Sequence, residues 1–112
     1  MRTGLLTLAL LPACTCPNAG VWQGPLSGDA DGFVVFTADD AKGALEVQVS
    51  LHTEGGDYTA EGDLDCGMPV LDLALVGPEG GEVGRIEGLL EEPAGGSWTL
   101  GPLSGSWTAA QP

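Results

Sequence analysis

Three cysteines, one histidine and sixteen carboxylates carry most of the chemistry available to this 112-residue chain. His52 falls on the polar side of an alternating segment, so an exposed surface position is expected for it. Ser27, Ser50, Ser97, Ser104 and Ser106 all lie outside any Gly-x-Ser-x-Gly turn, which argues against a Ser-His-Asp hydrolase. Catalytic zinc needs several His or Glu ligands at set spacing, and a single histidine does not supply them. Paired carboxylates, the machinery of glycosidases, are uninformative here because so many acids guarantee that some lie close together. Asp29-x-Asp31-Gly32, with Asp39-Asp40 a short way on, is the one segment that resembles the opening of a calcium loop. Calcium takes roughly six to eight oxygens. Asp29 and Asp31 offer two, and no glutamate closes an EF-hand-type loop. The leading reading of Asp29–Gly32 is an Asp/Gly hairpin turn, with calcium as the alternative. No catalytic residue and no cofactor is assigned, and a non-enzymatic protein is expected.

The cysteines are more specific. Cys14 and Cys16 stand near the start of the chain and Cys66 near its middle. If Cys14 is chemically modified, Cys16 and Cys66 remain as a pair, and an oxidising compartment would join them. The alternative for an unmodified chain is Cys14–Cys66. Metal binding by Cys14-x-Cys16 lacks a second Cys/His cluster to complete it.

The elements that must position these residues are strands. Leu45, Val47, Val49 and Leu51 alternate with Glu46, Gln48, Ser50 and His52, a period of two with one face dry and one wet. Similar runs are Val21–Leu26, Phe33–Thr37, Tyr58–Asp65, Val70–Val76, Val83–Leu90, Ser97–Leu100 and Ser106–Ala109. Turn-forming clusters separate them: Asp29–Gly32, Asp39–Gly43, Glu54–Asp57, Cys66–Pro69, Gly77–Gly81 and Glu91–Gly95. Eight short strands without a helix predict an all-β domain over residues 20–112, an antiparallel barrel or closed meander, with a two-sheet sandwich as the alternative. Only pairing of the first and last strands distinguishes the two.

Internal echoes support closure. Gly24–Gly28 recurs as Gly101–Gly105, and Gly96-Ser97-Trp98-Thr99 recurs as Gly105-Ser106-Trp107-Thr108. With Gly20-Val21-Trp22 there are three Gly-x-Trp units. Gly and Trp two apart share one face of a strand, and the glycine leaves room for a large ring from the neighbouring strand. Trp22, Trp98 and Trp107 are read as core or barrel-floor residues, with ligand stacking as the lesser reading. All sixteen acids follow Cys14, against only Lys42 and Arg85 as basic residues in that part. Such a surface repels phosphate backbones, so nucleic acid is not an expected partner.

The first sixteen residues bear on location. Arg2 is followed by the apolar run Gly4–Leu11, too short to cross a bilayer as a helix but of signal-sequence length. Leu11-Pro12-Ala13-Cys14 resembles the lipobox of bacterial lipoprotein precursors. That resemblance implies cleavage after residue 13, lipid on Cys14, a tether over residues 14–19 and attachment to the membrane. Thr15, where aspartate retains such proteins at the inner membrane, implies the outer membrane. The alternatives are a secretory signal giving a soluble periplasmic or secreted protein, and a buried N-terminal strand. Gly-x-Trp near the start of eight strands also resembles lipocalin and avidin-type barrels. A closer likeness is to small glycine-rich bacterial lipoproteins with Gly-x-Trp β domains. The expected function is therefore a structural or protein-interaction role in the cell envelope, with an envelope protein as partner. A small-ligand-binding barrel is the alternative.

Overall fold

A computed structural model describes residues 16–41 and 44–112. The strands are β1 (Gly20–Gly28), β2 (Gly32–Ala41), β3 (Ala44–Thr53), β4 (Gly56–Asp65), β5 (Val70–Val76), β6 (Glu82–Leu89), β7 (Ala94–Leu100) and β8 (Leu103–Ala109). Each pairs antiparallel with the next, and β1 pairs with β8, closing an eight-stranded up-and-down barrel. The all-β barrel expectation holds, and the β1–β8 pairing removes the sandwich alternative.

The period-two pattern sets the two sides of the wall. In β3, Leu45, Val47, Val49 and Leu51 are buried while Glu46 and Gln48 face water. Val34, Phe36 and Ala38 of β2 point the same way. Among the described residues every buried side chain of the core is apolar. The outer wall carries the acids, with a few exposed apolar residues such as Val21, Phe33 and Val70 among them: Asp39, Glu46 and Asp63 stand directly opposite one another across β2, β3 and β4. A barrel with a dry interior and a carboxylate-bearing exterior is built for water on its outside, the opposite of the outward apolar band of a membrane barrel.

Closure takes place over a short ladder. Leu26, Ser27 and Gly28 pair with Trp107, Ser106 and Gly105. The ladder lapses at Gly24-Pro25, where proline has no N–H to donate, and resumes where Gln23 and Ala110 exchange bonds of 3.0 and 2.9 Å. Between β4 and β5 only Thr59 and Val76 pair. There the Leu73 side chain lies over Gly62, and a Cβ on that glycine would stand 2.6 Å from Leu73 Cδ2.

Several strands run longer than the sequence pattern indicates. Asp39 and Asp40, expected in a turn, belong to β2, and Ala41 pairs with Ala44; Lys42 and Gly43 lie outside the described residues. The strands β7 and β8 begin three residues early, at Ala94 and Leu103. In each case residues without a clear alternation are held in extended form by the ladder of the neighbouring strand. Tertiary pairing outweighs local preference at such positions. The echo of Gly24–Gly28 in Gly101–Gly105 is not one repeated element: the first copy lies within β1, while Gly101-Pro102 is a turn.

Gly105 is among the most tightly confined glycines. A Cβ there would collide with the Ser27 carbonyl oxygen and approach Trp98 Cζ2 to 2.7 Å. Gly81 has no neighbour within 4 Å. Urea unfolding is expected to show Gly105→Ala destabilised by roughly 2–3 kcal/mol, because overpacking forces backbone shifts. Gly81→Ala is expected to stay within about 0.5 kcal/mol of the parent. Equal stability of the two variants would contradict the packing described.

Candidate functional site

Three features of the barrel have the geometry to matter for function: a glycine–tryptophan girdle, a base locked by a disulfide, and an apolar mouth at the opposite end. The girdle joins β6, β7, β8 and β1. Trp98 on β7 pairs directly with Gly105 on β8, and Gly105 pairs with Gly28 on β1. The indole lies over this glycine row, and its Nε1–H donates to the Ser106 and Ser27 carbonyls at 3.1 and 3.3 Å. Trp107 on β8 does the mirror image. It pairs with Gly96 on β7, which pairs with Gly88 on β6, and its Nε1–H donates to the Glu87 carbonyl at 3.0 Å. Each Gly-x-Trp unit thus gives its glycine to the other's tryptophan. Phe36 packs on Trp107 with ring centroids 4.8 Å apart.

The third unit differs. Trp22 is buried and donates to the Asn18 carbonyl at 2.9 Å, but Gly20 stands beside the Gln111 side chain rather than under a ring. All three indoles are at most 1% exposed. Of the two readings offered for them, the core reading describes where they lie. Each indole N–H is taken up by backbone, as a buried donor must be.

The base gathers the described N-terminal residues from Cys16, the adjoining ends of β2 and β3, the β4–β5 and β6–β7 connections and the residues after β8. Cys16 and Cys66 are disulfide-bonded, with Cα atoms 5.3 Å apart and a sequence separation of 50. Cys16 is buried, and its N–H donates to Asp40 Oδ2 at 2.8 Å. Ala19 packs on the core, and its N–H donates to the Cys16 carbonyl at 3.2 Å. Residues 16–19, part of the stretch expected as a tether, are folded against the barrel base, as the Cys16–Cys66 bond requires. The reason is chemical: the disulfide, the Asp40 bond and the Trp22–Asn18 bond all hold this segment. Cys14, the expected lipid site, and residues 1–13 lie outside the described residues.

The mouth lies among the turns at the other end. A half-open depression of about 590 Å³ is lined by Ala30, Tyr58, Val83 and Leu103, together with the carboxylates Asp29 and Glu54. Past Tyr58 and Val83 it is followed by a smaller one of about 240 Å³ beside the Gly77–Gly81 turn. Neither is lined by a tryptophan.

The remaining candidates sit apart from one another. Asp29 Oδ2 accepts the Ser104 N–H at 3.0 Å, and the Asp29 N–H donates to the Ser104 carbonyl at 2.9 Å. This carboxylate ties the β1–β2 turn to β8. Asp31 is exposed in the same turn. Among the described residues no three His, Cys, Asp or Glu side chains converge as a metal site, at Asp29 and Asp31 or elsewhere. His52 stacks on Phe33 at 4.5 Å and shares a 2.9 Å bond with Asp57, both its direct cross-strand neighbours. Ser27 Oγ and Ser106 Oγ bond each other at 3.0 Å across the closing seam. Arg85 is bound by Asp72, through Nε at 2.9 Å and Nη2 at 2.6 Å. The hydrogen bond and charge of Asp72 raise the guanidinium above its ordinary range, so it stays charged.

The mouth was not anticipated from sequence. Its lining comes from four separate chain segments whose convergence depends on strand order, and the only local hint was apolar residues flanking turns. Comparison with protein families, curated proteins and solved structures finds no match to this chain.

The disulfide has a measurable consequence. Closing a loop of this length restricts the unfolded chain by about 4 kcal/mol in the chain-entropy picture. The double variant Cys16→Ala/Cys66→Ala is expected to lose stability of about that size in urea, and reduction of the parent chain should give the same loss. A variant as stable as its parent would show that the base is held without the bond.

Proposed function

We propose that this chain is a non-enzymatic cell-envelope lipoprotein, acylated at Cys14 and carried to the outer membrane, whose barrel serves a structural or protein-interaction role. The observation that carries the reading is the order of the first sixteen residues: a cation, a short apolar run, a small residue and a cysteine. The Cys16–Cys66 bond supports it, because disulfides persist in extracytoplasmic compartments. With those two cysteines joined, Cys14 is the thiol left for modification.

Geometry adds a second line of support. Cys14 is two residues from Cys16, a covalent reach of at most ~7 Å, so a lipid there sits close to the barrel base. The mouth then points away from the membrane. An acidic outer wall disfavours contact with anionic headgroups, which leaves attachment to the lipid itself. Stable anchoring takes more than one acyl chain, as bacterial lipoprotein modification provides.

Mass spectrometry of the chain purified from a bacterial membrane fraction tests this. The expected result is an N-terminus at Cys14 bearing acyl mass, and Cys14→Ala should leave the chain uncut and unacylated. An unmodified Cys14 inside an uncleaved parent chain would refute the proposal.

A further inference from the structure

We propose that the barrel mouth is a binding site for a small amphiphilic cation, an alkyl chain or apolar ring system carrying an ammonium group. The inference goes beyond the tethered-module reading and is independent of it, because a lipidated and an unlipidated barrel present the same mouth. Three observations carry it. The first is size and lining: the depression of about 590 Å³ falls in the range of small-ligand sites and is walled mainly by apolar side chains. Val83 and Leu103 remain 40% exposed there. Val21, Phe33, Met68 and Val70 are exposed elsewhere, but Val83 and Leu103 share one concave place, where a ligand can cover both at once.

The second is the arrangement of charge. Asp29 and Glu54 line the same depression, and neither has an ion-pair partner among the described residues. Arg85, which could have offset them, is bound to Asp72 on the outer wall. A ligand entering the mouth therefore meets apolar contacts with negative charge beside them. Fatty acids and other anionic amphiphiles would be repelled at the point where they would otherwise bind.

The third is Tyr58. It lines both the main depression and the smaller one beside Gly77–Gly81. A half-buried phenol ring lining the same depression as two carboxylates is a favourable neighbour for a substituted ammonium, whose charge is attracted to the ring face. The smaller depression extends the apolar path for a chain longer than the main one holds.

Non-specific attraction is the competing explanation, since any cation is drawn to so acidic a protein. The two make opposite predictions for an added negative charge. Titration calorimetry and amide chemical shifts with dodecyltrimethylammonium, kept below its micelle concentration, give the readout. Saturable binding is expected, with shifts centred on Ala30, Gly55, Tyr58, Val83 and Leu103. Dodecyl sulfate should bind at least about tenfold more weakly, because its charge is desolvated against carboxylates. Leu103→Asp should weaken the cation by about tenfold or more through lost apolar contact, despite adding a negative charge. Val83→Asp serves as the second variant, and a dispersed amide spectrum verifies that either is folded. Tighter or unchanged binding by both variants, or shifts spread along the Asp39–Glu46–Asp63 row, would overturn the proposal. So would equal binding of the sulfate, or no binding at all.

Discussion

Two indole rings lying across two rows of glycines are the constraint on which the rest of the barrel depends. A closed barrel of eight short strands has a narrow interior, and its wall must bend sharply to close. The pairs Gly28–Gly105 and Gly88–Gly96 remove side chains where an added Cβ would collide with the adjacent strand. Trp98 and Trp107 fill the space so opened. Each indole N–H then bonds the backbone of a strand beyond its immediate neighbour, which joins β7 to β1 and β8 to β6. Burial of an indole removes about 200 Å² from water, on the order of 5 kcal/mol as an upper estimate. Glycine weakens a strand, and here that cost is offset by the ring each glycine admits.

The division between inside and outside follows from the same wall. With the interior filled by rings and aliphatic side chains, the many acids have only the exterior to occupy. Direct cross-strand neighbours such as Asp39, Glu46 and Asp63 repel one another. The disulfide at the base works in the other direction, holding the N-terminal residues and the β4–β5 turn together. The result is a molecule with two unlike ends: one locked near the chain's start, the other open, apolar and acid-rimmed.

Much of this was legible in the sequence, for identifiable reasons. The alternation Leu45–Leu51 fixes which face of β3 is buried, since a one-residue slip would expose all four apolar side chains. The three Gly-x-Trp units point to ring-over-glycine packing, and two of them have it. Gly20 does not, because the strand edge beside it is covered by Gln111 rather than by a paired strand bearing an aromatic ring. Pairing of Cys16 with Cys66 followed from the cysteine count, conditional on Cys14 being modified. What was hidden depended on convergence in space. The folded-down segment Cys16–Ala19 needs Asp40 and Trp22 as partners from distant positions, and the mouth needs four turns brought together. Neither leaves a periodic or compositional trace.

Hydrogen–deuterium exchange at the three indole Nε1–H groups tests the girdle most directly. Nuclear magnetic resonance reads each one separately. The account predicts that Trp98 and Trp107 exchange only as slowly as the whole barrel unfolds, with added urea speeding both in parallel with global unfolding. Rapid exchange of either indole under native conditions would mean that its ring is not bound across the glycine rows, and that something else closes the barrel.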